Sequence, residues 1–129
     1  MASSISDYTE IKILDAVFSH TTTGGGLPTA DPYVALYTTA PTDAGGGTEV
    51  TGGSYARQQA AFAGAAAGAT SNSANIDFTL MPACTVVAVG VFDAIAGNLM
   101  WWGDLTANKT VNSGDTFRIP AGDLDVTLN

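Results

Sequence analysis

In the segment "NIDFTL", Ile76, Phe78 and Leu80 alternate with Asn75, Asp77 and Thr79, the period of two expected of a strand with one wetted face. The C-terminal "DLDVTLN" repeats the alternation, with Leu124, Val126 and Leu128 set against Asp123, Asp125 and Thr127. Between them, "CTVVAVGVFDA" is apolar at almost every position, which predicts a central strand covered on both sides. "YVALYTT" and "LMWWGDLT" are rich in aromatic and β-branched residues and read as further strands. The full set of predicted strands is 33–38, 54–62, 75–80, 84–93, 98–105, 115–119 and 123–128. Glycine, aspartate and asparagine turns separate them in "APTDAGGGTEVTGG", "AGN" and "TVNSGDTFRI".

One stretch carries a different period. In "SDYTEIKILDAVFSH" Asp7 is placed to cap the first backbone N–H groups, with Glu10 three residues on, the spacing of a capping box. Ile11, Leu14 and Phe18 then share one face, while Ile13 and Val17 lie well round from them, so the apolar arc is broad. "TTTGGGLPTADP" ends the helix in a loop. "AGAAAGATSNSA", low in complexity, reads as an exposed connection or a short helix. The fold class that follows is mainly β: an antiparallel β-sandwich or jelly roll with a short N-terminal helix. Residues 1–22 form the helix and arm, and 23–129 the sandwich, one globular domain overall. Residues 1–6 are expected to order only against a partner surface.

Composition narrows the partners. Hydrophobic residues make up 46% of the 129 and charged ones 12%, with a net charge of −8, so solubility rests on a neutral polar surface suited to close assembly. Lys12, Arg57, Lys109 and Arg118 are scattered and form no stripe that could displace phosphate counterions, so neither nucleic acid nor an anionic membrane is expected as a partner. The longest apolar run is short and broken by glycine, and no signal segment opens the chain. The lone Cys84 permits no internal disulfide, which fits synthesis in a reducing compartment such as a cytoplasm.

The chemistry sought is mostly absent. His20, at a helix end, has no nucleophile and base around it and is read as a structural residue. Cys84 lies within an apolar strand and is read as a small buried hydrophobe. No zinc set exists, and Asp115, Asp123 and Asp125 lack the spacing of a calcium loop, so no metal, cofactor or catalytic residue is assigned. Trp101 and Trp102 point to opposite faces of a strand. One belongs in the core, and the other at a subunit contact, in a second core layer, or on a sugar-stacking platform.

"EVTGGSYARQQ" is the stretch most in need of a reading. It lacks the GxxxxGK[ST] spacing of a phosphate cradle, so its glycines are taken as turn residues opening a strand. With the strand starting at Ser54, Tyr55, Arg57 and Gln59 share one face and Ala56, Gln58 and Ala60 the other. In so acidic a chain the Arg57 guanidinium should meet a carboxylate or several carbonyls, beside a subunit boundary. Tyr55, Arg57, Gln59, Trp101 and Trp102 are therefore the structural or interface candidates.

"LYTTAPTDAGGGTEVTGGSYARQ", "VGVFDAIAGNLMWWGDLT" and "GDTFRIPAGDLDVTLN" resemble a family of small phage virion proteins. The likeness runs from Tyr33 to Asn129 and is most specific over Glu49 to Gln58, while "TTAP" replaces the family's His-Thr-Ala-Asp-Pro form. Such proteins are usually labelled tail-fibre or minor tail proteins, and similar small β-sandwiches serve as capsid decoration, or cement, proteins. The resemblance implies a non-enzymatic virion protein made in the host cytoplasm. The first expectation is a homotrimer that clamps the major capsid protein on the outside of the head. The alternatives are a tail-fibre or tail-tip component of the same fold, and a carbohydrate-binding module.

Overall fold

A computed structural model describes residues 3–19 and 28–128. His20 lies outside the described residues. The strands in chain order are β1 (Ser3–Ile5), β2 (Tyr33–Thr39), β3 (Thr48–Glu49), β4 (Gln58–Gln59), β5 (Ala69–Ser71), β6 (Ile76–Phe78), β7 (Cys84–Phe92), β8 (Leu99–Val111), β9 (Phe117–Ile119) and β10 (Asp125–Thr127). A helix, α1 (Asp7–Leu14), runs on into a π-helical turn, Asp15–Ser19.

The main sheet has the order β1-β8-β7-β2-β3, with β4 also paired to β2, and every pairing is antiparallel. Its face carrying Val34, Leu36, Val89, Val91 and Trp101 packs against Ile76, Phe78, Phe117, Ile119 and Leu124. These come from and around two small antiparallel ribbons, β6–β9 and β5–β10. The result is the expected sandwich, with the core between the large sheet and the two ribbons. The opposite face of the large sheet holds a second cluster, Ala35, Tyr37, Ala88 and Phe92. Gly90 sits on this side because a Cβ there would lie 2.8 Å from the Tyr37 ring and 2.9 Å from Leu99.

The differences from the sequence reading have local causes. Residues 3–5 are a strand on the edge of β8, not an arm awaiting a partner, and the Ser6 N–H continues the pairing to the Met100 carbonyl at 2.9 Å. Ser6, not Asp7, caps α1, its Oγ accepting from the Thr9 N–H. The expected strand 54–62 shrinks to β4, because the chain enters through a Gly52–Gly53 turn with both φ angles positive. β5 arises inside the alanine-rich stretch expected to be a connection. β8 continues through Val111, although "TANKT" carries no alternation. Leu80 leaves the β6 alternation with φ 49° and is exposed; its carbonyl accepts the Ser54 N–H at 3.0 Å. Leu128 is likewise exposed rather than inward.

The helix is inverted relative to its apolar pattern. Ile11, Leu14, Val17 and Phe18 are 57%, 54%, 57% and 74% exposed, whereas Lys12 is 7% exposed. Polar ties hold the inner side in place. Ser6 Oγ donates to the Leu99 carbonyl, Tyr8 Oη donates to Asp93 Oδ2 at 2.9 Å, and the Lys12 ammonium lies 5.6 Å from the centre of the Tyr8 ring.

Candidate functional site

The most distinctive stretch of the sequence folds into a clamp around Glu49. β3 places Glu49 opposite Tyr37 of β2, and β4 sets Gln58 opposite Val34 of the same strand, so Arg57 and Glu49 both flank β2. The turn between them requires glycine: at Gly53, φ is +55° and a Cβ would stand 2.8 Å from the Leu80 carbonyl oxygen. Arg57 then grips Glu49 with two nitrogens, Nε to Oε2 at 2.9 Å and Nη2 to Oε1 at 2.8 Å. Its third nitrogen, Nη1, donates to the Ile95 carbonyl at 3.1 Å, tying in the turn between β7 and β8. The guanidinium carbon lies 3.6 Å from the centre of the Phe92 ring, close enough for cation–π attraction.

Tyr55 completes the clamp. Its hydroxyl donates to Glu49 Oε2 at 3.0 Å and accepts the Leu36 N–H at 2.9 Å, while its ring stacks on Phe78 at 5.9 Å. Burial pushes the Tyr55 hydroxyl far above the usual phenol range, and the hydrogen bonds to Glu49 raise the Arg57 guanidinium above its already high value. Neither group changes charge near neutral pH. The cluster locks β2, β3, β4 and the 93–98 turn together through charge-assisted hydrogen bonds.

The other candidates are dispersed. Gln59 is exposed and donates to the Asp31 carbonyl at 3.2 Å, away from the Glu49 contacts that Tyr55 and Arg57 share. Trp101 is 3% exposed within the main core, and Trp102, half-buried on the other face, donates from Nε1 to Asp43 Oδ1 at 3.0 Å. The hydrogen bonds from Ser4 and Trp102 lower the Asp43 carboxyl. Trp101, buried in the core, also contributes to the lining of an apolar cleft of about 270 Å³ shared with Ile5, Phe62, Met100 and Val126. Cys84 is half-buried against the core, and burial raises its thiol. Asp115, Asp123 and Asp125 are all exposed, and among the described residues no cluster of three or more His, Cys, Asp or Glu side chains is placed to hold a metal. No helix among these residues is long and apolar enough to cross a membrane.

Asn72 is the residue that sequence reasoning missed. It is 2% exposed, donates from Nδ2 to the carbonyls of Ala74 and Pro120 at 2.8 and 2.9 Å, and accepts the Leu124 N–H on Oδ1 at 2.9 Å. Its only sequence signal was a position among other small polar residues in "TSNSAN", which does not distinguish it.

Known proteins bear on this arrangement in one way. The family model described as "Podophage GP4 fiber I protein gp80" matches residues 4–127, which includes the clamp, both tryptophans and the N-terminal helix. No curated protein matches the chain.

Proposed function

Because the chain belongs to the podophage GP4 fiber I protein gp80 family, and is on that ground a structural protein of a phage virion, we propose that it works at the fibre. The match over residues 4–127 carries this reading and favours the fibre over the head-decoration role that stood first among the sequence expectations. The chain acts by holding neighbouring virion proteins and not by chemistry. In support, its most specific polar cluster turns inward: both carboxylate oxygens of Glu49 and the Tyr55 hydroxyl are engaged within the domain. The homotrimer that the sequence resemblance implies is part of the proposal. Imaging of labelled protein on intact particles tests the location: density at the fibres, in few copies, is the expected result. A dense array over the head shell would restore the decoration role and overturn this one.

A further inference from the structure

The outward side of the N-terminal helix combines two features. At about 100° per residue, Asp7, Ile11 and Leu14 of α1 fall along one line with Glu10 on its flank, and the π-helical turn that follows carries Asp15, Val17 and Phe18. Ile11, Leu14, Val17 and Phe18 are all more than half exposed, Asp7 and Glu10 are exposed, and Asp15 is half-buried. Four apolar side chains thus stand in solvent within a frame of three carboxylates, while the helix's one base, Lys12, is turned under to the buried side over Tyr8. A helix usually buries its apolar stripe against its own core. Here the polar ties of Ser6 and Tyr8 hold the stripe outward.

The charge on the frame selects among occupants. A second copy presenting the same face would set carboxylates against carboxylates, and like charges brought together across an interface disfavour that pairing; a ring of copies would instead set this face against another surface of the chain. Another surface of this chain has few lysines or arginines to supply: Arg57 grips Glu49, Arg118 grips Asp77 and Lys12 is buried, which leaves Lys109 on β8 to set against three acids. We propose that the face Asp7–Phe18 docks into an apolar groove rimmed by lysine or arginine on a different virion protein, with Leu14 and Phe18 as anchors and the three acids setting orientation. This is the helix-in-groove mode of recognition, with anchors spaced along one side of the helix. The inference rests on the virion role proposed above and assigns to it one surface and one chemistry of partner. It leaves the homotrimer to other surfaces.

The test uses the full chain and virions assembled without it, with binding followed by co-sedimentation over a range of salt. The wild type should bind, and more weakly as salt rises. A Leu14→Ser/Phe18→Ser variant and an Asp7→Asn/Glu10→Gln variant should each bind about tenfold or more weakly, while their melting temperatures fall by only a few degrees, because every altered side chain is exposed and the neutral amides put no like charge at the helix N-terminus. If both variants bind like the wild type, the helix face is not the docking surface, although the virion role stands. If the wild type itself does not bind, the role and the inference fall together. Light scattering supplies the remaining outcome: wild-type oligomers that Leu14→Ser/Phe18→Ser converts to monomers would place a second copy on this face and overturn the proposal.

Discussion

At the scale of single residues, Arg57 serves three surroundings at once, a carboxylate, a backbone carbonyl and an aromatic ring. Its side chain is 19% exposed and that of Glu49 is 24% exposed, so the pair is only lightly screened. Arg57→Ala is expected to lower stability by about 1.5–3 kcal/mol in denaturant unfolding, the range for hydrogen bonds to charged groups. Arg57→Lys should recover only part of this, because an ammonium cannot reproduce the two-pronged grip. The meeting of Arg57 with a carboxylate was legible, since an acidic chain with four bases leaves a half-buried arginine few alternatives. Which carboxylate it meets was not, because that depends on β3 and β4 both flanking β2. Asn72→Ala should cost about 3 kcal/mol by the same measurement, as it strips partners from two carbonyls and one N–H inside the fold. That residue was illegible because its neighbours in sequence share its composition and not its burial.

At the scale of elements, long apolar strands announce themselves and short ones do not. β7 and the β2 strand could be read because seven or nine residues of apolar and β-branched character leave no competing pattern. β1, β3 and β5 have two or three residues each, too few to show any period; β1 and β3 lie on the free edges of the longer β8 and β2, and β5 pairs with the equally short β10. The helix was found but its orientation was not, since Tyr8–Asp93 and Ser6–Leu99 are long-range ties that overrule the apolar stripe. Between β6 and β9, Asp77 stands directly opposite Arg118 and accepts from Nε at 2.6 Å and Nη2 at 3.0 Å. The hydrogen bonds from Arg118 lower the Asp77 carboxyl below its usual range. A group whose folded pKa is depressed contributes stability above its unfolded value, about 3.9 for aspartate, and that contribution is lost as pH falls through the folded value. Asp77→Asn should therefore reduce stability at neutral pH slightly and flatten its decline below about pH 4, as read from acid titration of the unfolding midpoint. The effect will be small, because the two side chains are 37% and 55% exposed.

At the scale of the whole molecule, the sandwich is a scaffold whose inner polar clusters are closed and whose outer surface is thinly charged. Leu80, Ile95 and Leu128, all at least 55% exposed and none of them on the helix, are apolar surface left for the proposed trimer. Light scattering at micromolar concentration should give three times the monomer mass, and a monomer both there and on the particle would remove the trimer from the proposal. A phage virion protein was legible through the resemblance carried by the Glu49–Gln58 stretch; the place in the virion was not, because that resemblance implied head decoration and tail fibre alike, with the head first, whereas the family matched is a fibre family. The half-buried Cys84 bears on how that place can be found. A thiol whose ionisation is held back reacts slowly with electrophiles, and this chain has one cysteine. Ser113→Cys, exposed in the turn after β8, should consequently take up a maleimide-linked gold particle in near one-to-one yield by mass spectrometry while the parent protein stays largely unmodified. The native cysteine can then be left where it is, and a single electron-dense mark will report where each copy sits.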